Sequence, residues 1–216
     1  KDNFDNDYFK FGTAKYITIE GVKIWAQRLS YVGELGYELY VEFKDAKKIY
    51  ELLIEKGKDF NLSNCGMHAM DIMRMESGFL HWGHDISPEE NQYQAGLSFT
   101  IGKNKDEEFI GKQALEKIKK EKTKSRFAMF TLKESEPGKP LLLHDEPIYI
   151  DNEIIGRSTS GNYSFNFKKN LVFGYIKNDL SNDELKSKNL FIEVEKKKYP
   201  ILIQLGALKR TDYKNL

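Results

Sequence analysis

The first part of the chain alternates apolar and polar residues with the period of two that is typical of β-strands. Segments 16–19 and 22–25 follow this pattern on either side of Glu20-Gly21, which predicts a β-hairpin, and Tyr37 to Val41 predicts a further strand. Asp45 is placed to cap a helix that Gly57 would end. The apolar positions of that helix recur at helical spacing: Ile49, Tyr50, Leu53 and Ile54.

Two further helices are predicted before the pattern changes from mixed helices and strands to strands alone. One runs from about Gly66 to Ser77, is rich in methionine and would stop at Gly78. The next helix runs from Glu107 to Lys120. Its end overlaps a run of charged residues, 117–124, which cannot contribute to a core and is typical of a solvated helix end and linker. We therefore predict one domain over residues 1–122 and a second over residues 123–216.

The second domain has the pattern of an all-β fold. Asp151-Asn152-Glu153 between apolar runs predicts a hairpin, and many short strands separated by turns favour a barrel or a sandwich. The predicted strands are Phe127 to Leu132, Pro147 to Ile150, Ile154 to Ile155, Leu171 to Ile176, Phe191 to Val194 and Ile201 to Gln204.

Composition narrows the class of partner. The net charge of +1 comes from 34 basic and 33 acidic side chains, so no global field attracts nucleic acid or an anionic membrane, and we expect neither as a partner. No run approaches the ~20 apolar residues that span a bilayer. The single cysteine, Cys65, excludes an intramolecular disulfide and fits a reducing compartment, so we expect a cytoplasmic protein.

The densest candidate for chemistry is the segment from Arg28 to Leu39. Gly33 and Gly36 allow a tight bend that would bring Tyr31 and Glu38 toward one rim. A carboxylate at Glu38 can accept paired hydrogen bonds from a planar ring with adjacent N–H groups, such as the edge of a pterin. A β-turn with a surface glutamate is the alternative that residue types alone leave open.

The segment from Gly66 to Ile86 favours a structural role. Asp71 and Arg74 lie three residues apart and can pair on one helix face. His81, His84 and Asp85 imitate a metal site, but zinc normally needs three or four ligands in a known framework, so we predict no metal. Gly102 and Gly111 lack the spacing of a phosphate-binding loop, and the sequence contains no evident nucleophile triad. Phe109 and Ile110, which precede Gly111, indicate a packing contact that leaves Lys112 exposed.

Taken in order, these segments resemble the aminomethyltransferase (glycine cleavage T-protein) family. The sequence from Tyr31 to Leu39 is most similar to the dimethylglycine and sarcosine dehydrogenase branch of that family. Two departures from the stand-alone T-protein are Gln92 and Gln94 in place of Pro and Glu, and Met70 in place of Arg. The matching runs are 28–38, 71–78, 82–86, 95–97 and 109–115, followed by 146–148, 156, 159–161 and 173–175.

The resemblance implies an α+β fold, in which part of an α/β folate-binding domain precedes a small carboxy-terminal β-barrel. It implies transfer of a one-carbon unit from a methylated amine to tetrahydrofolate, which gives 5,10-methylenetetrahydrofolate. Tyr31, Glu38 and Tyr213 would contact the folate. FAD would be needed only if a flavin domain lies upstream. No position matches the family's key aspartate, which we expect upstream of Lys1, so no catalytic residue is assigned. A folate-dependent demethylase and a non-catalytic folate-binding or interaction module are the alternatives.

Overall fold

The computed structural model of the chain describes residues 2–102 and 108–209. These residues form two compact units, one of residues 2–77 with Lys209 and one of residues 78–208. The predicted division between residues 122 and 123 stays a prediction. Within the described ranges, no helix combines the length and the apolar character that crossing a membrane requires.

The first unit contains an antiparallel sheet in the order β1-β2-β3. The predicted hairpin is confirmed, because Ile19 pairs with Val22 and both intervening residues have positive φ, 44° at Glu20 and 77° at Gly21. This pair of angles is what a two-residue type I′ turn requires. The elements of the unit are β1 (Ala14–Ile19), β2 (Val22–Gln27), β3 (Glu38–Tyr40), α1 (Phe43–Gly57), a 3-10 turn (Lys58–Phe60) and α2 (Met67–Glu76).

The core of the first unit lies on one face of this sheet. Ile17 and Ile24 are fully buried there together with Phe9 and with Ile49 of α1. Because side chains alternate along a strand, the residues next to Ile17 in β1 and next to Ile24 in β2 point to the opposite face. That opposite face carries Tyr16, Lys23, Trp25, Gln27, Glu38 and Tyr40, and we call it the open face.

The helices of this unit agree with the prediction except at one cap. Helix α1 ends at Gly57 as predicted, but it begins at Phe43 after Glu42, so the prediction of Asp45 as its cap was wrong. Asp45 lies instead in the first turn, where a carboxylate is favourable near the positive end of the helix dipole. Helix α2 and its stop at Gly78, whose φ is +74°, are confirmed.

The second unit is built on a closed six-stranded barrel in the order β4-β7-β6-β5-β8-β9, which excludes the sandwich. Its interior is filled by apolar residues such as Phe130, Ile148, Val172 and Ile192. The elements are α3 (Lys112–Lys120), β4 (Ser125–Leu132), β5 (Pro147–Ile150), β6 (Glu153–Ser164), β7 (Lys169–Lys177), α4 (Asn182–Lys186), β8 (Leu190–Val194) and β9 (Lys197–Gln204).

Three local predictions in the second unit need correction. Helix α3 begins at Lys112 because Gly111 has a φ of +89°, which is incompatible with a helix that starts earlier. Phe109 and Ile110, expected to pack, are exposed, whereas Lys112, expected to be exposed, has 23% of its side chain accessible and pairs with Glu108 at 3.1 Å. Strand β6 is much longer than predicted, and α4 was not predicted although Ser181 and Glu184 form a capping box at its start.

The buried carboxylate of Asp85 anchors a loop to the barrel. This loop, residues 81–86, contains His81 and His84. Asp85 is 1% exposed, and its Oδ1 accepts hydrogen bonds from Thr159 Oγ1 at 2.5 Å and Ser160 Oγ at 2.8 Å. Its Oδ2 accepts one from the backbone N–H of His81 at 2.9 Å. A buried charge is stabilised by such direct donors, so Asp85 links loop 81–86 to β6.

We expect Asp85→Ala to lower the free energy of unfolding by about 2–4 kcal/mol, because it removes the acceptor shared by two buried hydroxyls and the partly buried N–H of His81. Urea denaturation followed by circular dichroism measures this. The matched control is Glu153→Ala, which removes a 70% exposed carboxylate from the same strand, β6, and should cost at most about 1 kcal/mol. Equal losses in the two variants would contradict the anchoring role.

Candidate functional site

The connection between β2 and β3 holds the most specific motif of the sequence, and we call residues 29–36 the glycine loop. Gly33 has a φ of +66°, and a Cβ added there would lie 2.3 Å from Ser77 Oγ. The Ser77 hydroxyl lies within hydrogen-bonding distance of the carbonyl oxygens of Val32, at 3.1 Å, and Met73, at 3.0 Å. The glycine loop therefore packs closely against the carboxy-terminal end of α2.

A residue from far along the chain also holds the glycine loop. The Lys209 side chain is 14% exposed and forms an ion pair with Glu34, while its backbone N–H donates to the Glu76 carbonyl at 2.8 Å. The Ser30 hydroxyl accepts from the Glu34 backbone N–H at 3.0 Å. Sequence reasoning missed Lys209, since no local pattern relates it to the loop.

The arginine that begins the motif has a structural role. Arg28 is 1% exposed, and its Nη1 donates to the Phe9 carbonyl at 2.6 Å. Its backbone N–H donates to the Thr13 carbonyl at 3.0 Å, and its own carbonyl accepts from Gly12 at 2.9 Å. Arg28 thus fixes the start of the glycine loop to the segment that precedes β1.

Glu38 is the first residue of β3 and lies exposed on the open face. Its Oε2 accepts a hydrogen bond from the Tyr40 hydroxyl at 2.7 Å, and this bond to the carboxylate raises the pKa of Tyr40. A carboxylate has about four acceptor positions on its two oxygens, so one bond from Tyr40 leaves capacity for a ligand. Tyr40 therefore orients Glu38 without saturating it.

Three aromatic side chains share the open face with Glu38. Trp25 is paired directly with Tyr16 on one side and with Tyr40 on the other. The rings of Tyr16 and Trp25 meet edge to face with centroids 4.9 Å apart, and the Lys23 ammonium lies 4.0 Å above the Tyr16 ring. We call Tyr16, Trp25 and Tyr40 the aromatic row.

The predicted folate contacts lie in different parts of the chain. Glu38 is on the open face, whereas Tyr31 lies partly buried in the glycine loop. Tyr213 lies outside the described residues. The sequence missed the aromatic row because its three members come from three different strands and are related only by the register.

The predicted pair on α2 is confirmed. Arg74 donates from Nε at 2.9 Å and from Nη2 at 2.7 Å to Asp71 Oδ1, and the arginine is 1% exposed. The rings of His81 and His84 lie 4.4 Å apart. Over residues 2–102 and 108–209, no three His, Cys, Asp or Glu side chains are grouped closely enough to hold a metal ion.

We expect Gly33→Ala to destabilise the first unit by about 1–3 kcal/mol, because the new Cβ combines a strained φ with a clash against Ser77. The matched control is Gly12→Ala, where φ is +76° but no atom lies within 4 Å of the added Cβ. The difference between the two unfolding free energies isolates the contact with α2. Equal losses of unfolding free energy in the two variants would show that the close packing of Gly33 against Ser77 does not contribute to stability.

The chain matches two family models, one described as "GCVT N-terminal domain" over residues 1–105 and one as "Glycine cleavage T-protein C-terminal barrel domain" over residues 126–207. The fold agrees with a crystal structure of the glycine cleavage system aminomethyltransferase T from Bartonella henselae, with a TM-score of 0.76 and 21% identity. That match covers 91% of this chain and 52% of the other.

Curated relatives extend the similarity to longer proteins. Human mitochondrial dimethylglycine dehydrogenase is 33% identical over 98% of this chain, which spans only 24% of that protein. The aminomethyltransferase of Halothermothrix orenii is 35% identical over 80% of this chain and 47% of its own length. With the two domain matches and the barrel in place, the chain belongs to the aminomethyltransferase (glycine cleavage T-protein) family.

Proposed function

We propose that this chain is a tetrahydrofolate-binding module that takes part in transfer of an aminomethyl or formaldehyde unit, with 5,10-methylenetetrahydrofolate as the product. It would act within a dimethylglycine or sarcosine dehydrogenase-like enzyme, or within a T-protein-like one. The proposal rests on the exposure of the Glu38 carboxylate on the open face of the sheet. This sheet lies in the part of the chain that matches the family model, residues 1–105. An upstream flavin domain and FAD belong to the dehydrogenase form of this proposal.

The chemistry of Glu38 suits the amino-pyrimidinone edge of a pterin. That edge presents adjacent N–H donors, and a carboxylate can accept two parallel hydrogen bonds from them. The Tyr40 hydroxyl donates to Glu38 Oε2 at 2.7 Å, which holds the carboxylate in place and leaves its other acceptor positions for the ring. Glu38 would therefore fix both the position and the orientation of the ring.

The glycine loop would supply the second contact. Tyr31 lies at its start, and the restraints from Ser77 and Lys209 limit how far the loop can move. Tyr213 is proposed as a further contact, by resemblance to the family. Bound tetrahydrofolate supplies the nucleophilic N5 that accepts the one-carbon unit. The contribution of these side chains is to bind the folate and to position that atom.

The predicted cytoplasmic location stays a prediction. The dimethylglycine and sarcosine dehydrogenases among the relatives are named as mitochondrial proteins. Similarity over part of such a protein does not carry its location to this chain.

We expect Glu38→Gln to weaken tetrahydrofolate binding by roughly 1–3 kcal/mol, because a neutral amide replaces the carboxylate and presents one N–H₂ donor toward the pterin donors. Calorimetric titration of tetrahydrofolate into this chain, and into the full-length gene product, measures the change. The control is Glu51→Gln on α1, whose side chain is 59% exposed and ion-paired with Lys47, and which should bind like the wild type. Unchanged affinity in Glu38→Gln would refute the assignment of Glu38.

A further inference from the structure

A cavity of about 550 Å³ lies beside the outer face of the barrel, within the second unit. Its barrel wall includes Tyr175 of β7, which pairs with Phe127 of β4 and Arg157 of β6. These side chains point away from the barrel interior, because the next residue, Ile176, lies in the core. The volume falls within the range of about 300–1,000 Å³ that is usual for small-molecule sites.

The loop of residues 87–95 forms a second wall of the cavity through Glu90. The Gln94 carbonyl accepts a hydrogen bond from the Phe127 N–H at 2.7 Å, which fixes the loop to β4. Glu90 Oε2 accepts from the backbone N–H of Ser87 at 2.8 Å and from its hydroxyl at 2.7 Å. The carboxylate is therefore held in place, and its other oxygen can accept from a ligand.

Most of the charge around the cavity is already neutralised. Arg157 forms an ion pair with Asp145, and Lys177 forms one with Glu153. The Tyr175 hydroxyl stays neutral, because burial and two nearby carboxylates raise its pKa. These groups therefore add little net charge to the cavity.

One anion and one cation of the wall remain, Glu90 and Lys124. Within residues 2–102 and 108–209, neither forms an ion pair, either with the other or with a third residue. The wall also contains apolar side chains, among them Pro147, Ile154 and Ile155. A complementary ligand therefore carries a cationic donor, an anion and an apolar body in one small molecule.

We propose that this cavity binds a free α-amino acid with an apolar side chain. The ammonium group donates to Glu90, the carboxylate pairs with Lys124, and the side chain packs against Pro147 and Ile154. The flexible stem of Lys124 lets its ammonium follow the ligand carboxylate. This site goes beyond the proposed function, because it lies on the barrel and its ligand is not a folate.

Nuclear magnetic resonance of the ¹⁵N-labelled chain titrated with L-leucine tests the site. We expect saturable shifts at the amides of Glu90, Ser125, Gly156 and Tyr175. Two analogues keep the leucine side chain but lose one charge: 3-methylbutylamine lacks the carboxylate, and 4-methylpentanoate lacks the ammonium group. Each should bind at least about 10-fold more weakly than leucine, because one charge-assisted contact is lost.

Variants assign the two ends of the ligand. Glu90→Gln should raise the Kd of leucine and of 3-methylbutylamine at least about 10-fold and leave 4-methylpentanoate unaffected. Lys124→Gln should show the opposite selectivity, weakening leucine and 4-methylpentanoate alone. The matched controls are Glu136→Gln and Lys139→Gln, whose side chains are 72% and 80% exposed and should leave all three affinities unchanged.

Three results would overturn the proposal. They are the absence of saturable shifts with leucine at millimolar concentration, shifts that avoid the cavity residues, and leucine affinities unchanged in both Glu90→Gln and Lys124→Gln. Unchanged far-ultraviolet circular dichroism establishes that a weaker variant is folded. Because the titrations contain no folate, loss of this site leaves the proposed function standing, and a failure to bind tetrahydrofolate leaves this site standing.

Discussion

The register of the three-stranded sheet determines which side chains of the first unit are buried and which can meet a ligand. Trp25 pairs with Tyr16 and with Tyr40, so all three rings project from one face while Ile24 projects into the core. A slip of one residue would exchange the two faces and bury Glu38. The apolar core on the opposite face opposes such a slip in all three strands, and the two-residue turn at Glu20-Gly21 fixes the register of β1 against β2.

The glycine loop depends on this register and adds a second restraint. The segment that contains it leaves β2 after Gln27 and enters β3 at Glu38, so both ends of this segment are fixed by the sheet. Its middle is fixed by the close approach of Gly33 to Ser77 and by the ion pair between Glu34 and Lys209. The motif is therefore explained in part by packing, and Glu38, which packing does not require, is the member best suited to bind a ligand.

Local sequence signals predicted most of the elements because each depends on neighbouring residues. The hairpin, the stops at Gly57 and Gly78 and five of the six barrel strands follow from period, glycine and turn residues. The contacts of Asp85 with Thr159 and of Glu34 with Lys209 join residues 74 and 175 positions apart, so one sequence holds no signal for them. The aromatic row needed the register, and the Asp45 cap failed because Glu42 already occupies that position.

The most direct test of the account is nuclear magnetic resonance of the ¹⁵N-labelled chain titrated with tetrahydrofolate. We expect saturable shifts concentrated at the amides of β2, the glycine loop and β3, together with the indole N–H of Trp25, while the resonances of the barrel strands stay in place. Shifts confined to the barrel, or no shifts at saturating ligand in both this chain and the full-length product, would contradict it.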